Sequence, residues 1–303
     1  MALSSDRPLR RTLVKLGCQI FLGSHRAHYH SWLPSLSIEG RAVGSPGAVS
    51  FRGHKVLQLH DADTLAARAG PYIAIIGSGP SVGGADLSSL PAQSAILLNG
   101  AISLIGAQIK KPLAVAIEDE RFVWRHFAMI RDKVRMGTLC LFSPGVIRAL
   151  CELDADWLAG HSVVLIDDIR KPYGVPRRMG EELQAFDFVT LGEDAGFSVD
   201  PDRGVFQGGS VAISALQFAL RTNAVRIGFL GVDISNAKAP RFYETAGDVA
   251  FSGIAGAEKR ILAHIALAKS FAEHNGVTLI NHSPVSALKL IGLDYRPLDS
   301  AAA

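Results

Sequence analysis

The feature that most constrains the fold is the stretch Tyr72–Asn99, in which two short apolar runs flank a glycine-rich turn. Tyr72-Ile73-Ala74-Ile75-Ile76 has the length and composition of a buried strand, and Gly77-Ser78-Gly79-Pro80-Ser81 follows at once. Ala95-Ile96-Leu97-Leu98 then ends in Asn99. Strand, tight turn, short crossover and second strand form the opening unit of a parallel α/β sheet, which takes its ligand at the carboxyl ends of its strands. Glycines there let the backbone approach a phosphate or sugar, and Ser78 or Ser81 adds a hydroxyl. They equally suit a turn that needs only their backbone freedom.

Two common nucleotide motifs do not fit this turn. A dinucleotide fingerprint requires a third glycine and an acid at the end of the next strand. Val82 and Asn99 stand in those places. A Walker loop requires Gly-Lys-Ser/Thr, and no lysine follows.

A chain of 303 residues with 48% hydrophobic and 19% charged residues buries a substantial core. The net charge of +3 is too mild for a nucleic-acid binder, and no basic stripe is interleaved with aromatics. Cys18, Cys140 and Cys151 lie far apart without a CxxC pair, as expected of core thiols in a reducing compartment.

Residues 1–60 differ from the rest and are expected to form a basic extension. Arg7, Arg10, Arg11, Lys15 and Arg26 face Asp6 alone, with Leu9, Leu13, Val14, Leu16, Ile20, Phe21 and Leu22 among them. Lys15 interrupts any signal-peptide core, and no run is long enough to span a bilayer. The segment suits a basic amphipathic element on an anionic membrane surface, a solvated extension, or a helix packed on the domain. His25, His28 and His30 lack the carboxylate or thiolate company of a metal site.

From residue 61 onward the chain alternates as one Rossmann-like domain. Pro112–Ile117 is an expected strand running into Glu118-Asp119-Glu120-Arg121-Phe122, where Asp119 serves a ligand site or caps the next helix. Helix over 122–134, strand over 139–142, helix over 144–151 and strand over 162–166 follow. The pairs Asp61/Asp63, Asp154/Asp156 and Asp167/Asp168 lack the placement of a metal–diphosphate motif, and no metal is expected. Residues 171–204, rich in Pro, Gly and charge, form an insertion or lid, with Arg177 and Arg178 either facing an anion or solvated. Gly208-Gly209-Ser210 opens an apolar helix over 211–220, an entry suited to an anion, with Ser210 as cap. A strand over 225–230 leads to Gly231-Val232-Asp233, then Arg241, Phe242 and Tyr243. A helix near 256–275, a strand over 277–280 and Asn281-His282-Ser283-Pro284 complete the domain.

Taken in order, GSGPSV at 77–82, LLNG at 97–100, GGSVAISALQFAL and IGFLGVDIS within 208–235, RFYE at 241–244 and NHSPVSAL at 281–288 resemble the bacterial sialyltransferase-like superfamily. The chain looks most like lipopolysaccharide-core Kdo transferases, whose Asp-x-Arg-Phe segment is matched by Asp119, Arg121 and Phe122. Motility-associated glycosyltransferases and a pterin diphosphokinase family share the outline, which covers roughly residues 72–293. The resemblance implies transfer of an acidic keto-sugar from a CMP-activated donor to a glycolipid hydroxyl, without metal, by a cytoplasmic protein peripheral to the inner membrane. It implies nucleotide contacts at Gly77, Ser78, Gly79, Pro80, Ser81 and Asn99, joined by Gly208, Gly209, Ser210, Ser283 and Pro284. Ser78 replaces the family's usual Asn, and Ser235 stands where one phosphate-steadying tyrosine is expected. No histidine occupies the base position near Glu258–Arg260, with His264 one turn on. The base role is therefore expected of Asp119, with Asp233 as orienter or alternative base and Arg241 and Tyr243 on the leaving phosphate. A diphosphokinase-like enzyme, a flagellin-glycosylating relative and a non-catalytic nucleotide-binding module are the alternatives.

Overall fold

In the computed structural model the described residues are 7–42, 44–234, 242 and 256–298. Seven strands form one all-parallel sheet: β4 (Tyr72–Ile76), β5 (Ala95–Leu98), β6 (Ala114–Ile117), β7 (Leu139–Phe142), β8 (Ser162–Leu165), β11 (Arg226–Leu230) and β12 (Thr278–Asn281). The order is β12-β11-β4-β5-β6-β7-β8. The chain therefore builds outward from β4 to β8, returns, and adds β11 and β12 on the other side. The reversal lies between β4 and β11, the place where such sheets form a binding crevice. Central strands buried on both faces explain the unbroken apolar runs in the sequence.

Alternate residues of each strand face opposite cores. Ile73, Ile75, Ala114 and Ala116 pack under α7 (Val211–Leu220) and α8 (Glu258–His274). Ala74, Ile76, Val115 and Ile117 pack under α4 (Glu120–Lys133) and α5 (Pro144–Ala159). Ser210 caps α7 by accepting from the Ala212 amide, and Ser143 caps α5 by accepting from the Val146 amide. Helix α5 runs to Ala159, past the expected end at residue 151, through a kink at Asp154.

The N-terminal residues contain structure of their own. Helices α1 (Leu9–Phe21) and α2 (Gly23–Arg26) precede an antiparallel sheet of β1 (Leu36–Glu39), β2 (Ala48–Phe51) and β3 (His54–Gln58). Arg52 and Gly53, both at positive φ, make the two-residue β2–β3 turn. Trp32, Leu36, Ile38, Val49, Phe51 and Leu57 join the α4–α5 core, so this segment covers part of the domain rather than trailing from it. A short α3 (Asp63–Ala66) leads into β4.

Residues 171–204 hold α6 (Gly180–Gln184) and an antiparallel pair, β9 (Val189–Leu191) and β10 (Gly196–Ser198). Ile169, Leu183, Phe188 and Phe206 give the excursion a small core. Its ends are pinned together: the Ile169 amide donates to the Val205 carbonyl, and the Val205 amide to the Asp167 carbonyl.

Candidate functional site

Three segments far apart in sequence meet at the reversal point. The Gly77 amide donates to the Leu230 carbonyl and the Gly79 amide to the Gly231 carbonyl, both at 2.8 Å. Backbone lies against backbone here: a Cβ on Gly77 would sit 2.4 Å from the Gly231 oxygen, and one on Gly79 would sit 2.4 Å from Asp233 Oδ2. The glycines are thus required by the neighbouring β11 turn, which already occupies the room expected for a phosphate on that side. Asp233 is buried and accepts from the Ser81 amide at 2.8 Å and the Ser81 hydroxyl at 2.6 Å. Ser81 Oγ lies 3.1 Å from Ser283 Oγ, which accepts from the Gly231 amide at 2.8 Å. Asn281 Oδ1 takes the Ser283 amide. The ends of β4, β11 and β12 are thereby locked into one hub, with Ser78, Gly79, Pro80 and Ser81 half-buried at its rim and Pro284 exposed. Both Asp233 oxygens are engaged within the hub.

Asn99 adjoins this hub, because β4 and β5 pair Ile76 with Leu97. It has φ +46°, a conformation that a non-glycine residue seldom adopts. Its Oδ1 is buried without a hydrogen-bond partner among the described residues. A buried carboxamide oxygen without a partner is uncommon in a folded chain.

Gly208, Gly209 and Ser210 turn elsewhere. The space beside Gly208 is filled by Ile213 and His264, and that beside Gly209 by Arg260. Arg260 Nε also donates to the Gly208 carbonyl at 2.9 Å. Among the described residues no hydrogen bond joins 208–210 to the Gly77 turn or to Asn99. These residues set the start of α7 against α8, with Gly209 exposed beside the Arg260 guanidinium.

Further along the same edge, past β6 and β8, lies an acidic cavity of about 210 Å³. Glu118, Asp119, Asp168, His28, His30 and Gln207 are among its lining residues. Glu118 lies two residues beyond Ala116, so the strand's alternation turns it towards α7. Burial pushes its carboxyl up to about 8, with Asp168 and Asp119 adding to the rise. Ser214 of α7 lowers it, although the geometry between them falls short of a hydrogen bond, and Glu118 Oε1 and Ser214 Oγ both lack a partner among the described residues. Burial also raises Asp168, against the pull of Arg170. His30 is driven down to about 4 by burial, and His28 is lowered by burial as well.

Asp119 is differently placed. It caps α4 by accepting from the Arg121 amide at 2.9 Å and pairs with the Arg121 guanidinium at 2.5 Å. Its side chain remains 40% exposed at the cavity rim. Glu120 behind it is buried in an ion cluster with Arg7 at 2.5 Å, Arg11 at 3.7 Å and Arg148 in close contact. Burial and the nearby Arg148 lower Arg11 to about 10. Asp167 pairs with Arg41 at 2.6 Å and accepts from the Tyr173 amide.

Glu118, singled out by the structure, was legible only as one acid in an acidic run; strand parity distinguishes it from Asp119. Arg241 and Tyr243 lie outside the described residues, as does Ser235. Among the described residues no group of three or more His, Cys, Asp or Glu side chains is arranged to hold a metal ion.

No protein-family model matches the chain. No curated protein matches it either. Among solved structures it is similar to the sialyltransferase CstII from Campylobacter jejuni in complex with a substrate analogue, cytidine-5'-monophosphate, at 12% identity. The match covers 76% of this chain and 86% of that one, with a TM-score of 0.41. A likeness of that size concerns the course of the chain and carries no residue role across.

Proposed function

We propose that this chain is a glycosyltransferase that moves an acidic keto-sugar, Kdo or a sialic acid, from a CMP-activated donor to a hydroxyl of a lipopolysaccharide-core or other glycolipid, without a metal ion. The observation that carries the reading is Asn99: a backbone at positive φ and a buried carboxamide oxygen with no partner among the described residues, beside a pre-locked hub at the sheet's reversal point. The hub costs little to organise on binding, since Asp233, Ser81 and Ser283 already hold it. The donor class comes from the order of the sequence motifs.

In this reading the cytidine nucleotide lies over Ser78–Ser81 and donates to Asn99, and its sugar extends towards the acidic cavity. The acceptor oxygen bonds to the anomeric carbon as the bond from that carbon to the phosphate oxygen breaks. CMP leaves with the bonding electron pair, and the acceptor proton passes to Glu118. Glu118 takes the base role in place of Asp119, whose oxygens are held by Arg121. A carboxyl poised near neutrality suits proton transfer. Arg241 and Tyr243 are assigned to the leaving phosphate, and Asp233 to positioning.

Thermal shift tests the binding step. CMP without magnesium is expected to raise the melting temperature, and Asn99→Gly to abolish that rise while keeping folding stability within about 1 kcal/mol. Stabilisation by ATP with magnesium but not by CMP moves the chain to the diphosphokinase reading. For the chemistry, Glu118→Gln is expected to lower transfer from CMP-Kdo or CMP-sialic acid by about 10²–10⁴-fold, and Asp119→Asn far less. The reverse order returns the base role to Asp119.

A further inference from the structure

Helix α1 is amphipathic the wrong way round for a helix packed on a domain. Its inward face carries Arg11, 1% exposed, whose guanidinium donates to the Leu33 and His30 carbonyls and faces Glu120. Leu9, Leu13, Leu16 and Ile20 recur at helical spacing on the opposite side, flanked by Phe21, and these five are between 50% and 85% exposed. Isolated exposed leucines are ordinary, but a continuous stripe of five large apolar side chains marks a contact surface.

The charge around the stripe identifies what it meets. No Asp or Glu occurs between Asp6 and Glu39, while Arg7, Arg10, Arg11, Lys15 and Arg26 fall in that span. Arg10 pairs with Glu152 at 2.9 Å, whereas Lys15 and Arg26 have no ion-pair partner among the described residues. An apolar stripe bordered by unneutralised cations is complementary to lipid tails beneath anionic headgroups. With 13 residues, α1 is well short of the roughly 20 needed to cross a bilayer. Among the described residues no helix is long and apolar enough to do so.

We propose that α1 lies flat on an anionic bilayer surface through Leu9, Leu13, Leu16, Ile20 and Phe21, with the exposed Arg26 at the headgroups. The ion cluster of Arg7, Arg11, Arg148 and Glu120 holds the helix in this attitude. The same N-terminal segment lines the acidic cavity through Arg7, His28 and His30, so docking brings that cavity to the membrane interface. The inference stands apart from the transferase reading, because lipid binding is measured with no sugar donor present.

The test is co-sedimentation of the full chain with phosphatidylcholine vesicles, with and without phosphatidylglycerol. Binding is expected to need the anionic lipid and to weaken with salt. The double variant Leu13→Ser/Leu16→Ser is expected to bind at least about tenfold more weakly, and Arg26→Ser about fivefold more weakly. These residues are exposed, and an unchanged circular dichroism spectrum confirms that folding is intact. Equal binding by the double variant and the parent overturns the proposal. So does a dimer in light scattering that the double variant dissociates while neither form binds vesicles, which assigns the stripe to a second copy of the chain.

Discussion

The two halves of the sheet's carboxyl edge solve opposite problems. At β4, β11 and β12 the polar groups satisfy one another: Asp233 accepts twice from Ser81, and Ser283 ties the Ser81 hydroxyl to the Gly231 amide. Past β6 and β8 they do not. Glu118 Oε1, Ser214 Oγ and His30 Nδ1 are buried without partners among the described residues, and the Glu118 and Asp168 carboxyls are raised. A satisfied network is rigid and suits a binding frame; an unsatisfied one stores an unmet demand for protons or donors and suits chemistry. Asn99 lies between the two and shares features of both: a backbone held in a rare conformation and an oxygen left open.

The largest expected effect comes from the cavity wall. Glu120→Gln leaves Arg11 and Arg148 buried without their shared carboxylate, at a cost of about 3–5 kcal/mol in urea unfolding. A loss below about 1 kcal/mol means the ion cluster does not hold the N-terminal segment in place. Next is the hub. Asp233→Ala strips both acceptors from Ser81, and about 1–3 kcal/mol of stability and the response to CMP should go together. If the CMP shift survives at full size, the hub is a fold device alone and the contrast between the two halves loses its functional half.

The pH dependence is the most diagnostic. Glu118 rises from an ordinary 4.5 to about 8 on folding, so the folded state binds more protons than the unfolded one between those values. Stability therefore falls as pH rises through that window. Glu118→Gln does not ionise, so its melting temperature relative to the parent should climb from pH 4.5 to about 8 and level off beyond. A constant difference across the window shows that Glu118 is not poised, and the cavity then resembles the hub.

Much of the frame was legible in advance. The apolar runs at 72–76, 95–98 and 139–142 match β4, β5 and β7 in their bounds, because fully buried parallel strands leave little choice of side chain. Strands β1–β3 were absent from the expectation for 1–60. Their signal is short: a period-two alternation around Arg52-Gly53, in a segment whose basic start draws the eye. Helix α1 was open to three readings, and its inverted face depends on Glu120 and Arg148, more than a hundred residues away. Gly208 and Gly209 had the pattern of an anion-binding helix entry, and nothing local in it announced that His264 and Arg260 of α8 pack beside them.

By itself the sequence determined the parallel sheet and the glycines of the first turn, because strand burial and tight backbone packing act on neighbouring residues and leave a local signature. Only the tertiary structure decided that Asp233 clamps Ser81, that Asn99 Oδ1 has no hydrogen-bond partner among the described residues, that Glu118 rather than Asp119 carries the raised carboxyl, and that α1 turns its leucines outward. Each of those depends on which distant groups share a volume with limited water, and hydrogen bonding and charge desolvation in that volume are not written in local spacing.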